Sequence, residues 1–196
     1  MPKVILTGVA GVGKTTLARH LVEASTSSVY IPEDYRRLFE ASHGDSDEQI
    51  ALKLRHQALD WLRLRLTSCV DAQGNFFMDR GPMDILHLFL VRPLVMAEFW
   101  QKLFLAVQQS LRSVDLIVVP LLESMSRDDL DSFNDSGIKR EVKPLSDIRN
   151  QAVLIGLCQQ LVPAQKLLLL PREPCSTEVR ASLVQRRLDA LAKISS

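Results

Sequence analysis

The sequence predicts an α/β fold, a five-stranded parallel sheet flanked by helices. Three observations lead there. Five short apolar runs recur along the 196 residues, separated mostly by segments with helical spacing. Most of these runs are apolar nearly throughout rather than alternating, the pattern of strands buried on both faces. The first run breaks into three glycines within six positions before helical spacing resumes. The chain's most permissive backbone therefore falls between a strand and a helix.

The elements follow in order. "KVILTG" (3–8) reads as the first strand and "GKTTLARHLVEA" (13–24) as the helix after it. "SVYIPE" (28–33) is the second strand. A long helix is expected over 47–72, with Ser46 and Gln49 at the spacing of a capping box. Its apolar residues spread around the axis: Ile50, Leu54 and Trp61 on one side, Leu52, Leu59, Leu62 and Leu66 on others. That width predicts contacts with more than one neighbour. "NFFMDR" (75–80) is the third strand, and 82–113 reads as one helix broken at Pro93, or as two. "DLIVVPL" (115–121) is the fourth strand, followed by a helix over 145–161. "KLLLLP" (166–171) has helical composition, but its shortness and Pro171 favour a fifth strand. A last helix spans 177–193. Strands alternating with helices argue for a doubly wound sheet.

Glu123 to Arg149 breaks the alternation, being polar and crowded with charges. It reads as a solvated loop or, since long loops in compact domains are often functional, as a mobile lid. The expectation is a single domain over 1–196 with a lid at 123–149. Net charge is +1, with 46% hydrophobic and 24% charged residues. No broad basic field points to nucleic acid. Cys69, Cys158 and Cys175 form no C-x-x-C pair and read as reduced thiols. His20, His43, His56 and His87 share no metal-ligand spacing and read as structural or surface residues. The chain opens on a strand rather than a basic and then apolar leader, and no run reaches the ~18 apolar residues of a membrane span. A cytoplasmic protein with no membrane partner is expected.

"GVAGVGKT" (8–15) fits G-x-x-x-x-G-K-[ST] at every fixed position, with a strand before it and a helix after it. Gly8, Gly11 and Gly13 let the main chain turn and approach a ligand closely. The amides of about Val9, Ala10, Val12 and on to Thr16 then form a nest for a β-phosphate, at the positive end of a helix. Lys14 supplies a cation for the β- and γ-phosphates, and the Thr15 hydroxyl is a hard oxygen ligand for Mg2+. This implies a P-loop NTPase fold and nucleotide binding, without choosing a reaction.

The other strand ends bear on that choice. Asp79, after the third strand, stands where a carboxylate would reach Mg2+, although Asp-Arg-Gly also makes a good turn. The next residue is Arg80, which neutralises phosphate charge or orients an acceptor and cannot activate water as a base. That favours transfer to a bound acceptor over hydrolysis. After the second strand come Glu33 and Asp34, then Arg36 and Arg37. Glu33 would accept a proton from an attacking hydroxyl, or simply complement a helix N-terminus.

With these residues in view, the chain resembles P-loop kinases of the nucleoside and nucleotide kinase kind. More closely, it is similar to compact AAA-like predicted ATPase and kinase proteins related to nicotinamide-riboside kinase domains. Those carry a P-loop, a "PE-x-x-R" element after the second strand and an Asp-Arg-Gly-x-x-Asp element after the third. Here these are "GVAGVGKT", "PEDYR" (Pro32 to Arg36) and "DRGPMD" (Asp79 to Asp84). A lid element "D-x-G-x-R" is matched by "DSGIK" (Asp135 to Lys139), with lysine for arginine, and Arg149 falls where a later arginine would lie. The resemblance implies ATP or GTP with Mg2+, and phosphoryl transfer to a small, nucleoside- or nucleotide-like hydroxyl acceptor.

In that reading Lys14, Glu33, Asp79, Arg80 and Arg149 serve catalysis, and Thr15 and Asp79 hold the metal. Glu33, Arg36, Asp84 and Lys139 contact the acceptor. Two other functions fit the residues: a nucleotide-dependent regulatory ATPase or switch whose 123–149 segment binds a partner protein, and a kinase acting on a nucleic-acid end. Lys53, Arg55, Arg63 and Arg65 on the long helix are expected on a solvated face, with an approach to a phosphorylated substrate as the alternative. Trp61, Phe99, Trp100 and Phe104 are expected in the core, with an acceptor cavity as the alternative. The oligomeric state, monomer or dimer, stays open.

Overall fold

The computed structural model describes residues 2–33, 47–71, 74–91, 97–122, 144–171 and 176–195. Within them run β1 (Lys3–Leu6), α1 (Lys14–Glu23), β2 (Ser28–Ile31), α2 (Asp47–Asp71), β3 (Asn75–Asp79), α3 (Pro82–Val91), α4 (Ala97–Ser110), β4 (Leu116–Pro120), α5 (Pro144–Leu161), β5 (Leu167–Leu170) and α6 (Thr177–Ser195). Short 3-10 turns, Leu111–Ser113 and Ala164–Lys166, precede β4 and β5. The segment read as one broken helix or two is two helices, α3 and α4. Residues 144–149 of the expected lid are the start of α5. The expectations for Asp34, Arg36, Arg37, His43, Ser46, Pro93, Lys139, Cys175 and the rest of the lid (123–143) fall outside the described residues.

The five strands form one sheet of order β2-β3-β1-β4-β5, and every pairing is parallel. β1 is central, so the loop after it leaves the sheet between the carboxyl ends of β3 and β4. In open parallel sheets that edge is where ligands bind.

Strand parity divides the core in two. Val4 and Leu6 of β1, Phe77 of β3 and Leu116 and Val118 of β4 point to one face. There they meet Leu17, Ala18 and Leu21 of α1 and Ala181, Val184 and Leu188 of α6, each set at helical spacing. Ile5, Phe76, Met78, Ile117 and Val119 point to the other face and pack against α2, α3, α4 and α5. Both faces being covered, the central strands carry no polar alternation. The edge strands depart from that expectation: Val29 of β2 is 63% exposed and Leu169 of β5 39% exposed. Each has a neighbour on one side only, so its flank meets solvent.

Trp61 is buried, and Trp100 and Phe104 pack against the same cluster, as expected of core aromatics. Phe99 does not join them and is exposed. Cys69 and Cys158 are buried free thiols, and burial pushes the Cys69 thiol up to about 12. Both are therefore inert at neutral pH. Among the described residues no helix is long and apolar enough to cross a membrane.

The turn from β3 into α3 sets up the site. Pro82 occupies the first helical position, where its missing N–H costs nothing. The Asp84 carboxylate reaches back to the Gly81 N–H at 2.8 Å, closing the acidic half of a capping box. Gly81 packs so tightly that an added Cβ would lie 2.6 Å from Ile5 Cγ2 and 2.8 Å from Met83 Sδ. Both neighbours are fully buried. Gly81→Ala is therefore expected to overpack the core by about 1–3 kcal/mol. At ~2–4 °C per kcal/mol for a chain of this size, scanning calorimetry should read a lower melting temperature. An unchanged value would show that Ile5 yields freely.

Candidate functional site

The loop after β1 turns on residues that favour glycine. Gly8, Gly11 and Gly13 have φ of 149°, 84° and 78°. Gly13 is the N-cap of α1, in a left-handed conformation that would strain any residue with a Cβ. From the far side Arg180 of α6 donates Nη1 to the Val12 carbonyl at 3.1 Å and lies beside Gly13. Lys14 folds back under the loop, and its Nζ donates to the Val9 carbonyl at 2.7 Å. It is 5% exposed. Burial, and then repulsion from Arg80, lower its pKa from 10.5 to about 7, against the pull of Asp79, Asp84 and Glu33.

Asp79 ends β3 opposite Leu6 and is fully buried. The Thr15 hydroxyl donates to its Oδ2. The Tyr30 hydroxyl, from β2, stands 3.4 Å from the same oxygen. The other oxygen, Oδ1, is buried with no hydrogen-bond partner. An unpartnered buried carboxylate oxygen is costly unless a ligand or water completes it. Burial raises the Asp79 pKa, while the Thr15 hydrogen bond and Lys14 oppose the shift.

Arg80 is the hub of the second cluster. Its φ of 62° is the one positive value among the described non-glycine residues. That conformation costs about 1–2 kcal/mol and is held by three contacts. Nε pairs with the Glu33 carboxylate at 2.9 Å, and Nη1 donates to Asp84 Oδ1 and to the Gly8 carbonyl, both at 3.2 Å. Asp84 is 2% exposed and also accepts the Thr7 hydroxyl at 2.8 Å. Both its oxygens are thus engaged by the protein, where an acceptor contact was expected. The main chain just before Glu33 is held by Arg65, whose Nη2 donates to the Pro32 carbonyl and whose guanidinium stacks 4.4 Å from the Trp61 ring centroid. Arg65 is 4% exposed, which corrects its placement on a solvated face. Arg63 is exposed there, as expected.

The structure thus gathers Lys14, Thr15, Asp79, Arg80, Asp84 and Glu33 at one edge of the sheet. Arg149 lies further out, exposed on α5, where its charge is felt by His87. His87 is half-buried on α3, its pKa lowered mainly by burial, against the pull of the Asp84 charge. Beside Thr15 and Thr16 opens a cavity of about 360 Å³, lined also by Arg19, His20, Thr177 and Glu178. Tyr30, Arg180 and the role of Arg65 escaped the sequence reading. Each acts across a fold contact, and local spacing carries no signal of it.

The sequence pattern of the AAA domain family matches residues 3–103, just over half the chain. The chain belongs to the AAA domain family. The matched span of this AAA-domain protein includes the loop, Glu33, Asp79, Arg80 and Asp84. No curated protein matches it. Among solved structures, deoxyadenosine kinase from M. mycoides superposes with a TM-score of 0.65 at 12% identity, covering 96% of this chain and 99% of that one. NadR protein in complex with NR gives 0.65 at 18% identity, over 97% of this chain and 51% of NadR. Thymidylate kinase from Candida albicans gives 0.54 at 13%, over 96% and 92%. At these identities the likeness is one of fold: the AAA-domain chain has the α/β P-loop NTPase fold in the form that nucleoside and nucleotide kinases use.

The buried Lys14 predicts a pH dependence. Its pKa is lowered on folding, so between about 7 and 10.5 the unfolded chain binds more protons than the folded one. Stability of the ligand-free protein should therefore rise with pH from 7 upward, at no more than ~1.4 kcal/mol per pH unit from this group. Urea denaturation of wild type and Lys14→Met at pH 6.5 to 9 isolates it. The difference between the two should grow in wild type's favour as pH rises, and a flat difference would refute the assignment.

Proposed function

We propose that this chain is a Mg2+-dependent kinase, transferring the γ-phosphoryl group of ATP or GTP to a hydroxyl of a small, nucleoside- or nucleotide-like acceptor. The observation that carries this reading is the division of labour at the sheet edge. A phosphate-type loop with Lys14 and Thr15 meets Asp79, and next to Asp79 stands Arg80, paired with Glu33 rather than replaced by a second carboxylate. A hydrolase needs a base for water there, whereas a kinase needs to seat an acceptor.

The residues fit a magnesium ion. Among the described residues no group of three or more His, Cys, Asp or Glu is arranged to hold a metal alone. Mg2+ does not need one, since it is commonly held by one or two protein oxygens together with substrate phosphates and water. Thr15 and Asp79 would hold it, the unpartnered Asp79 Oδ1 being the oxygen left for a ligand. The cluster's charges agree: Glu33, Asp79 and Asp84 outnumber Lys14 and Arg80, and a divalent cation offsets the excess. When bound, the ion would neutralise charge on the transferred phosphoryl group.

The chain's own groups do the rest. The loop amides of Val9 to Thr16 grip the β-phosphate at the α1 N-terminus. Lys14 leaves the Val9 carbonyl for the β- and γ-phosphates and regains its proton. The cavity beside Thr16, of about 360 Å³, takes more of the donor. Glu33 accepts the proton of the attacking hydroxyl or anchors it. Arg80 orients the acceptor and faces the transferred group, and Asp84 holds Arg80 in place. Arg36, and Lys139 and Arg149 from a 123–149 lid, complete the acceptor side, the whole of 1–196 working as one cytoplasmic domain. A nucleoside-like acceptor is supported by the names of the similar structures, two nucleoside or nucleotide kinases and a protein bound to NR.

The test is incubation with γ-labelled ATP or GTP and a library of nucleosides, nucleotides and related metabolites. Label should move to one acceptor class and stop with EDTA. Label released only as inorganic phosphate, whatever is added, would move the reading to the regulatory ATPase. Glu33→Gln should lower kcat about 10²–10⁴-fold if Glu33 is the base, with little change in nucleotide affinity. Binding of the triphosphate at pH 8 should take up close to one proton, because the phosphates restore the Lys14 charge. Titration calorimetry in buffers of different ionisation enthalpy reads that number, and Lys14→Met should abolish the uptake.

A further inference from the structure

Tyr30 belongs to no motif the sequence displays, yet its hydroxyl ends beside Asp79. The reason is register. Tyr30 of β2 pairs with Phe77 of β3, and Asp79 lies two residues beyond Phe77, on the same face of the sheet. That face is covered by α1. Thr15 and Arg19 lie one turn apart on that helix, so they share a side. Thr15 reaches Asp79, and the Arg19 guanidinium sits 5.8 Å from the Tyr30 ring centroid.

Two hydroxyls therefore address one oxygen. Thr15 Oγ1 donates to Asp79 Oδ2, and Tyr30 stands 3.4 Å from it. Oδ1 is buried with no partner. Two donors on one oxygen fix the plane of a carboxylate and hold its other oxygen free for a cation. The tyrosyl distance of 3.4 Å is long for O–H···O, so the bond is weak.

We propose that Tyr30, steadied by Arg19, is a positioning residue that sets the Asp79 carboxylate for its metal ion. This rests on the reading of Asp79 and Thr15 as the metal-holding pair. Partners of this kind tune affinity without touching the ion, and their loss commonly costs 10–100-fold in metal binding.

The test measures Mn2+ by the electron paramagnetic resonance of the free ion, in the presence of saturating non-hydrolysable ATP analogue. Tyr30→Phe keeps the ring and removes only the hydroxyl. It should weaken Mn2+ binding about 10-fold, while analogue affinity in EDTA and the melting temperature stay at wild-type values. Arg19→Met, at an exposed position, should move Mn2+ affinity the same way by less. Wild-type Mn2+ affinity in Tyr30→Phe overturns the inference and leaves the metal pair standing. If the wild-type nucleotide complex binds no Mn2+, the metal pair itself falls, and the inference with it.

Discussion

The structure depends on keeping charge buried at one edge of a parallel sheet. Lys14, Asp79 and Asp84 are each at most 5% exposed, and Arg80 and Glu33 are mostly covered. No one of these ions tolerates such a place alone, since an unpaired buried charge costs several kcal/mol. They are tolerated because each faces an opposite charge or a main-chain dipole. The glycine loop, the strained Arg80 and the capped start of α3 are the backbone arrangements that make those pairings possible.

The pairings have two different characters. Around Arg80 they are made within the protein: its contacts with Glu33, Asp84 and the Gly8 carbonyl hold a left-handed residue that would otherwise relax. Asp84 serves the protein there, joining Arg80, Thr7 and the N-cap of α3. Around Lys14 and Asp79 they are provisional. Lys14 spends its charge on a loop carbonyl at a pKa of about 7, and Asp79 keeps one oxygen unpaired. An incomplete pairing is what a ligand repairs. In the proposed function a polyphosphate would supply the missing anion and a divalent ion the missing cation, so that binding would complete what folding leaves undone.

Membership of the AAA domain family and the kinase-like fold narrow the chemistry without naming a substrate. Specificity in such a fold lies in what lines the acceptor side. In the proposed reading that side would begin at Glu33, and the main chain just before it is gripped by the buried Arg65 and its stacked Trp61. The cavity beside the glycine loop, proposed for the donor, is bounded by α1 and the start of α6, where Arg180 steadies the loop from behind. Both supports come from helices far along the chain from the motifs they serve.

By itself the sequence determined the strands, the order of elements and the glycine loop. Apolar runs, helical spacing and a phosphate-type motif are local signals, and each reports what its own few residues must do. It also placed Glu33, Asp79 and Arg80 at strand ends, which is why a parallel sheet brings them together. Only the tertiary structure decided how they are used. Asp84 could be read as an acceptor contact, until the packing of α3 against β1 showed both its oxygens engaged by the protein. Arg65 looked like one more charge on a solvated helix, until the turn of α2 that carries it proved to face the end of β2. Tyr30 reached Asp79 and its Thr15 partner through a register between β2 and β3 that no spacing along the chain encodes. Such roles depend on pairings between residues tens of positions apart, and only packing sets those distances.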